Sequence, residues 1–236
     1  MKYIFLAAGK GTRLQPLTLM LPKCMYRLDK NTTVLKRMTD LIRKYDAEAE
    51  IVVVTGYMHT EIEREIKDVE YVFNPFYAVT NSIASLWFAK EHLLSGEVVL
   101  LDGDIVLSEV AIRDILCKKP ERPCVLLDSS IKNDGDYNVE VADDRVLVMS
   151  KNLKNFYGEY AGITKLDKHT AKEFYEEVSK MIEHGYYEQW YEDALVQMIF
   201  NDDLDLYYED ICDYKWTEVD EVDDLLCAKN IQIKKM

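Results

Sequence analysis

The chain has 236 residues, 48% of them hydrophobic, and a formal charge of −14 from 43 acidic and 29 basic side chains. That length can bury one good-sized core, while the acidic balance argues against nucleic-acid binding, which needs a basic footprint. The longest apolar runs are of strand length, so no membrane span is expected; without a leader-like segment and with five cysteines (24, 117, 124, 212, 227) lacking a CxxC pair, a cytoplasmic protein with reduced thiols is expected.

Lys2–Ala7 reads as a short apolar strand running into glycines. Thr33–Tyr45 has the core-facing spacing of a helix, with Val34, Leu35, Met38, Leu41 and Ile42 on one side. Ile51–Thr55 is a β-branched strand ending at Gly56. Thr60–Lys67 follows as a helix, Glu70–Phe73 as a strand, and NPFYAVTNS as a loop. Ser82–Leu94 reads as a helix and Glu97–Leu101 as an apolar strand stopped by DGD. This alternation is the rhythm of a parallel sheet covered by helices, in which ligands sit beyond the carboxyl ends of the strands. GKGTR, TGY, FNPFYAVTN and DGD all fall at those ends.

The second half is less regular. Strands are expected at Cys124–Asp128, Val139–Ala142, Arg145–Met149, Tyr160–Lys165 and Leu204–Tyr208, and helices at Thr170–Glu183, Glu192–Phe200 and Glu221–Asn230. No repeat or Pro/Gly/Ser-rich linker divides the chain. One domain spanning 1–236 is expected, with a nucleotide-binding half (1–110) and a second half (111–236) that closes over an acceptor.

The stretch LAAGKGTRLQPLTLMLPKCM, Leu6 to Met25, fits neither a Walker A loop nor a dinucleotide fingerprint, whose third glycine would stand at Leu14. Gly9 and Gly11 still allow a tight turn that presents N–H groups to anionic oxygens. Arg13 offers a planar fork for phosphates, and Lys23, next to Pro22, a point charge. Phosphoryl-type transfer consists mainly of positioning and charge neutralisation, which this pair suits. In LLDGDIVL, Asp102 and Asp104 follow an apolar strand, and a carboxylate there can reach Mg²⁺, which prefers oxygen ligands. Cys24 reads as a packed thiol.

GKGTRLQPLT…LPKCM resembles the N-terminal signature of the sugar-phosphate nucleotidyltransferase superfamily, matching it at Gly9, Gly11, Thr12, Arg13, Pro16, Thr18, Pro22 and Lys23. The resemblance implies a Rossmann-like α/β fold of the nucleotide-diphospho-sugar transferase type, a mixed, mainly parallel sheet flanked by helices, with a small acceptor-binding lobe. It implies a nucleoside triphosphate held by Leu6, Ala8, Gly9, Gly11, Thr12, Arg13, Lys23, Tyr57, Thr80 and Asp102. It also makes Asp104 the metal ligand, joined from WTEVDEVDDL by Asp220 with Glu218 as companion. Arg13, Lys23, Asp104 and Asp220 are then the catalytic set.

VTGY with FNPFYAVTNSIASLW, SKNLKNFYGEYAGITKL, and YYEQWYEDALV with DYKWTEVDEVDDL bring the chain closer to the small cytidylyltransferases that use phosphocholine or 2-aminoethylphosphonate. On this reading CMP passes from CTP to a small phosphorylated or phosphonate headgroup. Asn74, Thr80 and Asn81 meet polar atoms, and Lys151 meets the acceptor's phosphate or phosphonate. Glu159, Glu192 and Asp193 face an ammonium group, and Trp190, Tyr191 and Trp216 wall it by cation–π contact. Asn81-Ser82 stands where relatives often have Asn-Asn, and Asn138 in GDYNVEV is a second departure. Both leave room for another small phosphorylated amine or amino acid. A sugar-1-phosphate nucleotidyltransferase and a non-catalytic nucleotide sensor are the alternatives, and a homodimer is left open.

Overall fold

The computed structural model describes residues 1–132 and 137–233. Its elements, in chain order, are β1 (Lys2–Ala7), α1 (Val34–Tyr45), β2 (Glu50–Thr55), α2 (His59–Glu65), β3 (Glu70–Phe73), α3 (Ser82–Phe88), β4 (Val98–Asp102) and β5 (Ile105–Leu107). They continue with α4 (Glu109–Ala111), extended by a π-helical turn over Ile112–Leu116, then β6 (Cys124–Asp128), β7 (Asn138–Ala142), β8 (Arg145–Ser150) and β9 (Gly158–Leu166). The chain ends with α5 (Lys168–Glu183), α6 (Tyr191–Asn201), β10 (Tyr207–Asp210), β11 (Trp216–Glu218) and α7 (Val222–Ile233).

Nine strands form one sheet in the order β3-β2-β1-β4-β9-β6-β10-β8-β7. Its first four strands are parallel, as the alternating rhythm predicts, and β10 is parallel to β6. The expectation of a mainly parallel sheet is corrected beyond β4, because β9 enters antiparallel between β4 and β6, and β10–β8, β8–β7 and β7–β9 are antiparallel as well. The β7–β9 pairing brings β9, β6, β10, β8 and β7 into a closed ring. The sheet is therefore mixed, because hairpin-like returns rather than helical crossovers connect β7, β8 and β9.

The two faces of the sheet are covered separately. Period-two alternation sends Ile4, Val52, Val54 and Leu100 into one core with Ile83 and Leu86 of α3, Phe174 and Val178 of α5, and Leu195 of α6. Tyr3, Phe5, Val53 and Leu101 face the other, against Leu35, Met38 and Ile42 of α1 and Ile62 of α2. Thr33 caps α1 by accepting the Lys36 N–H, and Arg43 and Lys44 complement its C-terminal dipole. A third, smaller cluster of Leu14, Leu28, Val34, Val106, Val219, Ala228 and Ile231 fastens α7 beside the N-terminal loop.

Of the boundaries that differ from the sequence reading, two show their cause plainly. The helix expected over Ser82–Leu94 ends at Phe88, because the Ala89 N–H bonds the Leu86 carbonyl at 2.9 Å and the backbone tightens into a 3₁₀ segment, Lys90–Ser95. The strand expected from Leu204 begins at Tyr207, where pairing with Cys124 starts. Two three-residue strands, β5 and β11, pair antiparallel with Ile105 opposite Glu218. That small ladder positions the site.

Asp167 caps α5 by accepting from the His169 and Thr170 N–H groups at 2.8 and 3.2 Å. Asp167→Ala is expected to cost about 1 kcal/mol, a fall in Tm of roughly 2–4 °C for a chain of this size, measurable by thermal unfolding.

Candidate active site

The cleft opens at the carboxyl ends of β1 and β4, where Leu6 of β1 pairs with Asp102 of β4. After β1 the backbone bends through the glycine loop. Gly11 takes a left-handed φ of 60°, and a Cβ there would stand 2.9 Å from the Thr18 side chain. The Thr18 hydroxyl donates to the Gly11 carbonyl at 2.7 Å. A Cβ at Gly9 would instead meet open space. The Gly9 backbone therefore borders the open cleft.

β4 ends at Asp102 and the chain turns through Gly103 into Asp104 and β5. The β5–β11 ladder carries Glu218 to this turn, and the Val219 N–H donates to the Asp104 carbonyl at 3.2 Å. Asp104, Glu218 and Asp220 thereby place one carboxylate oxygen each within 4.8 Å of one another. Lys23 enters this group. It is ion-paired with Asp104 and donates to Asp220 Oδ1 at 3.0 Å, while Arg13 reaches Asp220 Oδ2 at 2.6 Å.

Burial opposes the Lys23 charge, but Asp104, Asp220 and Glu218 outweigh it and hold the ammonium well above its ordinary range. Burial and then the neighbouring aspartates push Glu218 far above the usual carboxylate range. Burial also raises Asp104 against the pull of Lys23, and burial with the Asp104 charge lifts Asp102 to about 8. Asp220 is the exception: Lys23 and Arg13 overcome its burial and keep it low. Crowded carboxylates, all of them hard oxygen donors, fit a divalent cation such as Mg²⁺. Cys24, buried beside Lys23, has its thiol pushed up to about 12 by burial and is not a thiolate.

The cleft encloses about 420 Å³ and brings together sixteen of the residues singled out in the sequence. Leu6, Ala8, Gly9, Gly11, Thr12, Arg13, Lys23, Thr80, Asp102, Asp104 and Asp220 line it together with Asn81, Lys151, Trp190, Glu192 and Glu218.

Six others lie elsewhere. Tyr57 supports the loop, its hydroxyl donating to the Thr18 carbonyl at 2.9 Å. Asn74 is fully buried and knots the following turn, donating to Thr80 Oγ1 and Ser85 Oγ. Tyr191 is fully buried with its hydroxyl on that of Tyr160, and Asp193 accepts from the Trp190 N–H to cap α6. Glu159 and Trp216 line a neighbouring cavity that shares Arg13, Glu218 and Asp220 with the cleft, and the Trp216 indole N–H donates to Asp128 Oδ2 at 2.8 Å.

Residues not singled out in the sequence also line the cleft, Lys10, Tyr77, Ser85, Tyr137, Tyr160 and Gly162, and so does Ser82 of the Asn81-Ser82 departure. Ser82 Oγ accepts from the Tyr191 N–H at 2.9 Å and joins α3 to α6. Gly162 has a φ of 67°, and a Cβ there would stand 2.9 Å from Asp102 Oδ2. A glycine inside an otherwise apolar strand pattern was the available signal for this close approach. Of the GDYNVEV segment, Gly135 and Asp136 lie outside the described residues, while Asn138 opens β7 with its amide 3.4 Å from the Leu153 carbonyl.

Comparison with known proteins bears on this geometry. Residues 3–150 match the family model described as the MobA-like NTP transferase domain. The choline-phosphate cytidylyltransferase of Streptococcus pneumoniae is 27% identical over 95% of both chains. The CTP:phosphoglutamine cytidylyltransferase of Campylobacter jejuni is 26% identical over the whole of both. The solved structure of the S. pneumoniae CTP:phosphocholine cytidylyltransferase superposes with a TM-score of 0.80 at 22% identity, covering 98% of each chain, and so shares the fold.

If the carboxylate cluster accepts a divalent ion, Mg²⁺ raises Tm without any nucleotide. At ten times its Kd the gain is roughly 1.4 kcal/mol, about 3–6 °C for a chain of this length. The shift is expected to vanish in Asp104→Ala and Asp220→Ala, as read by thermal unfolding with and without Mg²⁺.

Proposed function

Since this chain belongs to the MobA-like NTP transferase family, we propose that it is a cytidylyltransferase that moves CMP from CTP to a small phosphorylated or phosphonate headgroup and releases pyrophosphate. The observation that carries this reading is the ion-paired group of Lys23, Arg13, Asp104 and Asp220 at the foot of a glycine-lined cleft. Choice of CTP is supported by the two whole-length relatives, both cytidylyltransferases by name.

The chain's own groups divide the work. Backbone N–H groups of the Gly9–Arg13 loop face the triphosphate, and Arg13 forks onto its oxygens. Lys23, kept protonated by its carboxylate neighbours, offers positive charge where charge builds on the α-phosphate. An acceptor phosphate or phosphonate oxygen attacks the α-phosphorus in line; the new P–O bond forms as the bond to the β-phosphate bridging oxygen breaks, and pyrophosphate leaves with that electron pair. Asp104 and Asp220, with Glu218 as companion, would hold Mg²⁺. Bound there, Mg²⁺ supplies Lewis-acid neutralisation of phosphate charge. The inert Cys24 thiol beside Lys23 agrees with direct transfer and no covalent protein intermediate. Residues 1–110 serve the nucleotide, and the part of the cleft formed by Lys151, Trp190 and Glu192 serves the acceptor.

Crossing CTP, UTP, ATP and GTP with phosphocholine, 2-aminoethylphosphonate, phosphoethanolamine and glucose 1-phosphate tests the reading by pyrophosphate release. Turnover is expected with CTP and the small headgroups; turnover of glucose 1-phosphate with none of the headgroups contradicts it. Lys23→Ala is expected to lower kcat by roughly 10²–10³-fold while the circular dichroism spectrum is unchanged.

A further inference from the structure

Arg37 of α1 is a buried cation that the proposed transfer does not use. It is only 5% exposed and lines a cavity of about 690 Å³ walled by α1, α4, α7 and the segment before β11. This cavity shares no lining residue with the cleft. A guanidinium carries five N–H donors in one plane. Nη1 donates to the Leu107 carbonyl at 2.7 Å and Nε to Gln232 Oε1 at 3.0 Å. Gln232 is held in that orientation because its own Nε2 donates to Asp29 Oδ2 at 2.6 Å. Nη2 makes no hydrogen bond among the described residues.

Both acceptors are neutral, and buried charges are costly unless paired. The acids nearby are committed elsewhere: Asp40 to Lys36 at 2.6 Å, and Glu109 to Lys44 at 2.5 Å and the Tyr45 hydroxyl at 2.7 Å. Burial pulls the guanidinium down to about 10, with the Glu109 charge opposing, so it stays charged at neutral pH. An anion in the cavity supplies the countercharge.

The rest of the wall defines that anion. Lys215 is exposed and has no ion pair among the described residues. Ser108 Oγ accepts from the Ala111 N–H, which leaves its own proton to donate, and the Tyr214 hydroxyl is unbonded among the described residues. A planar fork, a point charge and two hydroxyls exceed what the two oxygens of a carboxylate use, and match the oxygens of a phosphate. Asp213, exposed on the same wall, opposes a highly charged ligand, so a single phosphate group fits better than a triphosphate.

We propose that this cavity is a second ligand site, separate from the cleft, which takes inorganic phosphate or a small phosphate monoester on Arg37 Nη2 and Lys215. The Ser108 N–H donates to the Lys215 carbonyl at 2.7 Å and Leu107 pairs with Trp216, so the site lies at one end of the β5–β11 ladder whose other end carries Glu218.

Isothermal titration calorimetry on the whole chain, without nucleotide or Mg²⁺, tests this with inorganic phosphate and with glycerol 3-phosphate. Saturable binding is expected, weakened about tenfold or more in Arg37→Gln by the loss of a charged hydrogen bond. It is weakened roughly 2–5-fold in Lys215→Ala, where the charge is exposed, and unchanged in Lys23→Ala, which alters only the cleft. Tighter binding of glycerol 3-phosphate than of inorganic phosphate marks the ligand as an ester, and the reverse marks it as free phosphate. No saturable binding of either probe, or an affinity unchanged in Arg37→Gln, overturns the proposal. Should Arg37→Gln fail to fold, judged by its circular dichroism spectrum, Lys215→Ala decides, and an unchanged affinity there overturns it.

Discussion

One cation held among carboxylates organises this molecule. Lys23 pairs with both Asp104 and Asp220, and Arg13 takes the second oxygen of Asp220. Desolvating such charges costs more than their attraction returns in many proteins, so an arrangement of this kind is weak evidence for stability. Its members come from the N-terminal loop, the turn after β4 and the strand β11, and the fold brings them together through the short β5–β11 ladder and the third apolar cluster.

The mixed sheet also lines this cleft. Inserting β9 antiparallel beside β4 brings Gly162 against Asp102 and places Tyr160 beneath the cleft. Helix α6 then arrives from the other side, with its N-terminus tied to α3 by the Ser82–Tyr191 bond and its first turn presenting Glu192. Residues from both halves of the chain thus line one continuous cleft.

Much of this is legible before folding. β1, β2, β4 and α1 announce themselves because β-branched runs and 3.6-residue spacing are local signals, and the glycine loop, Lys23, Asp104 and Asp220 stand out by spacing and resemblance. The antiparallel return of β9 is not local: its residues read as a strand, but their partners are set by long-range pairing. β5 and β11 are too short, at three residues each, to leave a pattern. Among site candidates, polar side chains near the right place divide in ways the sequence does not display. Asn74 and Asp193 spend their hydrogen bonds on a turn and a helix cap, Tyr191 is sealed in the core, and Glu192, next in sequence to both Tyr191 and Asp193, keeps one oxygen unbonded among the described residues.

If Lys23 and Asp220 act on the α-phosphate as one unit, their contributions cannot be independent. The most direct test is a double-mutant cycle on kcat with CTP and a turned-over acceptor, using Lys23→Met, Asp220→Asn and the double variant. The account predicts that the double variant loses about as much as the worse single variant. Losses that multiply would contradict it, showing two separate residues rather than one charged unit.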